Sequence, residues 1–246
     1  MSIESQADWT GLQGAARIAR LTLDALQEQV KPGISTGQLD RIAARLFART
    51  GARSAPALVY GFPGTVLISV NDEIVHGIPG DRVLTRGDLV KLDVTVEKDG
   101  YVADAARSVI VERGSRTAER LVQCAEAAYR AALTVARAGT LVNEISRAVE
   151  REVGAWGFAV IRGLSGHGVG RTIHEPPDVP NEYDPRQRDR LTEGLVITIE
   201  PMISTSSRRP VQADDGWTIR THDGSWSAHY EHTLVVTREA PIVLTA

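Results

Sequence analysis

The chain has 246 residues, long enough for one large domain or two small ones with a real core. Apolar residues make up 42% and charged residues 24%, which argues against disorder, and a net charge of -3 without a basic stripe gives no reason to expect nucleic acid or a membrane surface. No apolar run approaches the ~20 residues of a membrane span, no basic-then-apolar leader follows Met1, and the single cysteine, Cys124, excludes an internal disulfide, so a reducing cytoplasm is the expected setting.

In chain order, Leu12, Ala15, Ala16, Ala19, Ala25 and Leu26 recur at helical steps. After Lys31-Pro32-Gly33 a second helix carries Leu39, Ile42, Ala43, Leu46 and Phe47 on one face and stops at Gly51. Strand-like runs follow at 66–70, 88–96 and 101–111. A long amphipathic stretch, 118–138, then leads to Gly139 and to another helix ending near Gly157. Cys124 lies on that stretch among Leu121, Val122, Ala125 and Ala128, the surroundings of a buried structural thiol rather than a reactive one. Further strand runs fall at 158–161, 195–199, 217–220 and 233–236, and the prolines at 176, 177, 180 and 185 mark an ordered surface loop near 178–190.

The two halves superpose with an offset of 106, which lays Gly33 on Gly139, Leu39 on Ile145, Arg41 on Arg147, Arg45 on Arg151 and Gly51 on Gly157. A duplicated helix-pair module, with halves near 1–112 and 113–246, accounts for this better than chance does. It implies two α/β halves packed face to face in one domain, 1–246, with a site in the cleft between their sheets.

The chemistry concentrates in four segments. Asp99-Gly100 is a two-residue turn signal between strand-like runs. If Lys98 pairs with Tyr101, Thr95 faces Asp104 and Asp93 faces Ala106. Asp93 and Asp104 then project from one sheet face, roughly 7–8 Å apart at their backbones. A polar, solvated hairpin is the plain alternative. The apolar neighbours Leu92, Val94, Val96, Val102 and Ala103 favour a covered sheet, where two converging carboxylates call for a cation. His167 stands between two glycines, and His174 precedes Glu175-Pro176-Pro177. Glu200 ends an apolar run before Pro201 and Glu231 precedes another; a carboxylate there either coordinates or pairs with an arginine such as Arg107 or Arg220, and spacing alone leaves both open. Four carboxylates and an imidazole suit Mn, Fe, Co or Zn better than a thiolate zinc site.

Taken together, Asn71-Asp-Glu-Ile-Val-His-Gly-Ile-Pro79, the Asp93/Asp104 hairpin, Gly166-His-Gly-Val-Gly170, His174-Glu-Pro-Pro177, Thr198-Ile-Glu-Pro-Met202 and Tyr230-Glu-His-Thr233 resemble the type I methionine aminopeptidases over nearly the whole chain. The resemblance implies the pita-bread fold, an α/β (α+β) architecture of two pseudo-symmetric halves with antiparallel sheets covered by helices. It implies two divalent metal ions, drawn from Co, Mn, Fe, Zn or Ni. Asp93 would bind one, His167 and Glu200 the other, and Asp104 and Glu231 would bridge them. It makes Glu200 a proton shuttle, His174 the group on the carbonyl, and His76 the contact to the scissile amide; from sequence alone His76 is a turn histidine. Phe62, Leu67, Ile173 and Trp217 would line the methionine pocket, although Leu67 and Ile173 read equally well as core. The chain departs from many relatives at Leu67, Ile173 and His229, where cysteine, an aromatic and glutamine are common. The expected substrate is the N-terminal peptide of nascent proteins with a small, uncharged second residue, met by a cytoplasmic monomer in transient proximity to the ribosome and without the zinc-finger extension some relatives carry. A proline-directed peptidase and a non-catalytic binding protein of the same fold are the rival expectations.

Overall fold

The computed structural model describes residues 1–246. Helix α1 (Gln6–Gln29) starts where the Ser5 hydroxyl accepts the Asp8 amide, and it buries Leu12, Ala15, Ala16, Ala19, Leu23 and Leu26 as one stripe. Helix α2 (Thr36–Thr50) opens with a capping box between Ser35 and Gln38 and closes at Gly51, whose φ of 67° is the left-handed cap that glycine tolerates. Helix α3 (Ala55–Tyr60) is a single short helix, too brief to leave a periodic trace in the sequence. Helix α4 (Arg116–Leu133) ends earlier than the apolar periodicity to residue 138 suggests. Ala136 stays buried, but the Thr134 and Val135 amides reach back only three residues in a tight turn, and the Ala138 amide bonds the Thr237 carbonyl instead of continuing the helix. Helix α5 (Val142–Ala155) completes the set.

The strands that carry the site are β1 (Leu67–Val70), β2 (Leu89–Lys98), β3 (Tyr101–Ile110), β4 (Ser165–Gly168), β5 (Glu175–Pro180), β6 (Val196–Ile199) and β7 (Glu231–Val235). The β2–β3 hairpin turns at Asp99 and Gly100, both at positive φ (52° and 82°), as a tight two-residue turn between twisted strands requires. Its register is the one expected from the turn: Lys98 opposite Tyr101, Thr95 opposite Asp104, Asp93 opposite Ala106.

One expectation is corrected. The halves do not present two facing sheets. They merge edge to edge into a nine-stranded sheet whose path runs Arg53–Ser54, β2, β3, β7, β6, β4, β5, with β1 also on β2 and Ile242–Val243 on β7. The join is the antiparallel pairing of β3 with β7, Ala106 with Glu231 and Ala105 with His232. Each half would otherwise leave an open edge of unpaired backbone groups, and the two edges satisfy each other. The expected loop near 178–190 is likewise partly strand, since β5 runs to Pro180 and Arg190 bridges Leu141.

The internal repeat is visible in backbone hydrogen bonds. The Gly33 amide donates to the Leu84 carbonyl at 2.9 Å and the Gly139 amide to the Leu191 carbonyl at 2.8 Å. Both glycines hold nearly the same positive φ, 90° and 89°. The isolated bridges Ser35–Val83 and Leu141–Arg190 repeat the relation. Helices α1 and α2 cover the first half of the sheet around Leu92, Val94, Val96, Ala103 and Ala105. Helices α4 and α5 cover the second around Ile197, Ile199 and Leu234, and Cys124 is fully buried there with its thiol pushed up to about 12 by burial. No helix is long and apolar enough to cross a membrane.

Candidate metal centre and peptide cleft

Side chains alternate across β2 and β3, so the residues between those packed on α1 point to the opposite face of the sheet. Asp93, Thr95 and Asp104 emerge there, at the floor of a cleft of about 400 Å³. The same cleft is lined by Phe62, Leu67, His76, His167, Ile173, His174, Glu200, Trp217 and Glu231, so every residue that the resemblance gave to the metals, the reaction or the methionine pocket reaches it, whereas His229 lies behind its lining.

Three elements of the second half supply the remaining donors. His167 lies in β4 between Gly166 and Gly168, where a Cβ on either glycine would come within 2.5 Å of the Thr198 carbonyl oxygen or 2.3 Å of the Pro176 oxygen. Only glycines let the strand seat so closely that the imidazole reaches the floor. Its Nδ1 contacts the Gly168 carbonyl at 2.9 Å, which makes Nδ1 the protonated nitrogen and leaves the Nε2 lone pair facing Glu200 Oε1 at 3.5 Å. Glu200 follows β6, and Thr198 Oγ1 donates to its Oε1 at 2.8 Å while accepting the His167 amide at 3.0 Å. Glu231 opens β7 and is 1% exposed. Potential ligand atoms of Asp104, His167 and Glu231 lie within 4.8 Å of one another, as do those of Asp93, His229 and Glu231, so Glu231 is common to both groups.

No arginine neutralises this cluster. Arg107 pairs with Asp24 at 2.7 Å and Arg220 with Asp72 at 2.9 Å, which settles the alternative left open by spacing. Burial is the largest influence on all four carboxyls, and it holds Asp93, Glu200 and Glu231 well above the usual range and Asp104 at about 6. Asp93 Oδ1 and Glu231 Oε1 are sealed from water without a hydrogen-bond partner. Buried oxygens with no donor, crowded by like charge, fit a divalent cation. Burial also pushes His167 down to about 4, so its imidazole is a neutral ligand at physiological pH.

His76 sits at φ 59°, a conformation L residues seldom adopt, and this turns its ring into the cleft. The segment that leads to it, a turn at Asn71 and Asp72 followed by the strand Glu73–Val75, is held from beneath. Lys91, fully buried on β2, donates from Nζ to the Asn71 carbonyl at 2.8 Å, and the Gly77 amide donates to Ser69 Oγ at 3.0 Å. His174 packs with its ring centroid 4.2 Å from that of His167, and its Nδ1 is 2.6 Å from the Tyr60 hydroxyl. Phe62 and Trp217 meet edge to face at 5.2 Å, with Leu67 and Ile173 buried in the same wall. Sequence reasoning left Thr95, Lys91 and Thr198 without roles, and it put Tyr60 near the methionine pocket without connecting it to His174. The signal that finds them is hydrogen bonding to a site residue or to the segment that leads to one, and it appears only in three dimensions.

The family model for metallopeptidase family M24 matches residues 10–238. The chain belongs to metallopeptidase family M24. Within M24 it falls with the methionine aminopeptidases and is a metallo-hydrolase of that branch. It is 42% identical over 247 residues to methionine aminopeptidase 2 of Bacillus subtilis, covering 100% of this chain and 99% of that protein. The crystal structure of methionine aminopeptidase from Rickettsia prowazekii superposes with a TM-score of 0.95 at 33% identity, covering 100% of both chains. Prolidase from Pyrococcus furiosus superposes on 99% of this chain with a TM-score of 0.80 at 21% identity, but this chain spans 65% of that protein, a likeness of fold alone.

Proposed function

We propose that this metallopeptidase acts as a single catalytic domain that removes N-terminal methionine from nascent cytoplasmic proteins whose second residue is small and uncharged. Its two divalent ions are held by Asp93, Asp104, His167, Glu200 and Glu231. The observation that carries the reading is the arginine-free convergence of four carboxylates and one neutral imidazole beside an apolar pocket. Ions bound there, drawn from Co, Mn, Fe, Zn or Ni, supply Lewis acidity and a water acidic enough to attack a peptide carbonyl near neutral pH.

The chain's own groups do the rest. Glu200 Oε1 is held by Thr198, which leaves Oε2 to take the proton of the attacking water and return it to the departing amine. If His174 Nδ1 accepts from Tyr60, the ring proton is on Nε2, where it stabilises negative charge growing on the carbonyl oxygen. His76 borders the same space and contacts the scissile amide. Phe62, Leu67, Ile173 and Trp217 receive the methionine side chain, whose flexible thioether suits an irregular apolar wall. The enzyme works as a monomer in transient proximity to the ribosome.

Hydrolysis of Met-Ala-Ser against an Ala-Pro peptide tests the specificity, and Glu200→Ala tests the mechanism. The expected results are cleavage of the first peptide only and a loss of roughly 100-fold or more in kcat for the variant. Preference for the Ala-Pro peptide, or a variant as active as the parent, overturns the reading.

A further inference from the structure

His229 ends the strand Ser227–His229, and its backbone is clamped on both sides by one side chain. Ser108 Oγ donates to the His229 carbonyl at 2.8 Å and accepts the His229 amide at 2.9 Å. The ring is therefore placed by the main chain, and it is 1% exposed. Both ring nitrogens lack any hydrogen-bond partner. Leaving such groups buried and unpaired is costly, so something absent from the polypeptide is expected to meet the nitrogen that faces the carboxylates.

The distances say what. His229 Nε2 is 3.6 Å from Glu231 Oε2 and 3.7 Å from Glu200 Oε2, beyond the roughly 2.7–3.2 Å of a hydrogen bond. With metal–ligand bonds of about 2.0–2.2 Å, two donors on one ion stand roughly 3–4 Å apart. The His167–Glu200 pair, assigned to one ion above, has a separation of 3.5 Å. Potential ligand atoms of Asp93, His229 and Glu231 all fall within 4.8 Å of one another, and Asp93 Oδ1 and Glu231 Oε1 are also without partners.

We propose that His229 is a further metal ligand, giving the ion on the Asp93 side an imidazole donor of its own. The inference rests on the two-metal reading above and adds a donor to it. Its chemical consequence is selectivity. Asp93, Asp104 and Glu231 alone are an oxygen set suited to Mn, whereas one nitrogen added to them favours the borderline ions Co, Ni and Zn.

X-ray absorption of the full chain loaded with Co(II) counts imidazoles directly. The expected result is two bound ions sharing two imidazoles in the parent and one in His229→Gln, with Co(II) affinity at one site weakened at least about tenfold. Mn(II) affinity should change less than Co(II) affinity. A parent spectrum with one imidazole for two ions, or a variant spectrum identical to the parent's, overturns the proposal and makes His229 only a neighbour of the carboxylates. The parent measurement needs no variant, so a poorly folding His229→Gln leaves the proposal falsifiable. A parent that binds fewer than two ions overturns the proposed function as well, which separates the two failures.

Discussion

Asp104 offers a quantitative test of the claim that the cluster is built for cations. In the metal-free chain its carboxyl is held at about 6, chiefly by burial, against an ordinary value of 3.8. The folded state thus holds this proton more tightly than the unfolded chain does. Asp104 costs the fold nothing below about pH 4, and the cost grows until pH passes about 6. The full gap is worth about 3 kcal/mol, of which roughly 2 kcal/mol accrues between about pH 4.5 and about pH 7.5. Asp104→Asn cannot ionise and keeps an acceptor for Thr95 Oγ1, which donates to Asp104 Oδ1 at 2.9 Å. Urea denaturation of chelator-treated parent and variant at the two pH values gives the comparison. Buried His167, His229 and His232 are pushed down and titrate in the opposite sense, but they are common to both proteins and cancel in the difference. The variant is expected to gain about 2 kcal/mol on the parent across this interval, and more if relief of Asp93, Glu200 and Glu231 adds to it. Saturating Mn(II) should reverse the order in favour of the parent. A parent–variant difference that does not change with pH would mean that ionising Asp104 costs the metal-free fold nothing.

Two further outcomes test the groups that position the histidines. Tyr60→Phe removes the hydroxyl 2.6 Å from His174 Nδ1 while leaving a ring that is 48% exposed, so stability should stay within about 0.5 kcal/mol and kcat/KM on Met-Ala-Ser should fall roughly two- to tenfold. Gly77→Ala would set a Cβ 2.3 Å from the Ile68 carbonyl oxygen, and the backbone must move. That is expected to cost about 2–3 kcal/mol, lower the melting temperature by roughly 4–10 °C, and impair turnover even at temperatures where the variant is folded, because His76 is displaced.

Much of the fold was legible in the sequence, because two local rules dominate it. The Asp99-Gly100 turn fixed the β2–β3 register, and through it the common face of Asp93 and Asp104, without reference to any relative. Periodicity and glycine stops found the long helices. Hidden from it were features with no local signature, namely α3, the short strands at 202–204, 210–212 and 227–229, and the β3–β7 join that turns two expected sheets into one. The convergence of the proposed ligands followed the same division. Asp93 and Asp104 meet through a hairpin, whereas Glu200, Glu231 and His167 reach them only through pairing across the halves. Whether an arginine neutralised Glu200 depended on Asp24 and Asp72, two acids that sequence spacing does not connect to Arg107 and Arg220. His229 was visible only as a departure from relatives until its ring nitrogens proved to be unpartnered.

The join between β3 and β7 also sets when in folding this chain acquires its chemistry. Its partners, Ala106 with Glu231 and Ala105 with His232, are among the most distant contacts in the sheet. A long loop must close before they pair, and contacts of such separation are expected to form after the local hairpins and helix pairs of each half. The donors proposed above are divided across that seam, Asp93 and Asp104 from the first half and His167, Glu200, Glu231 and His229 from the second. A chain folded in one half only, whether still emerging during synthesis or trapped later, carries an incomplete set and no peptidase. The capacity to cut other proteins therefore comes into being only with completion of the whole molecule, and no separate inhibitory segment is needed to keep the unfinished chain silent.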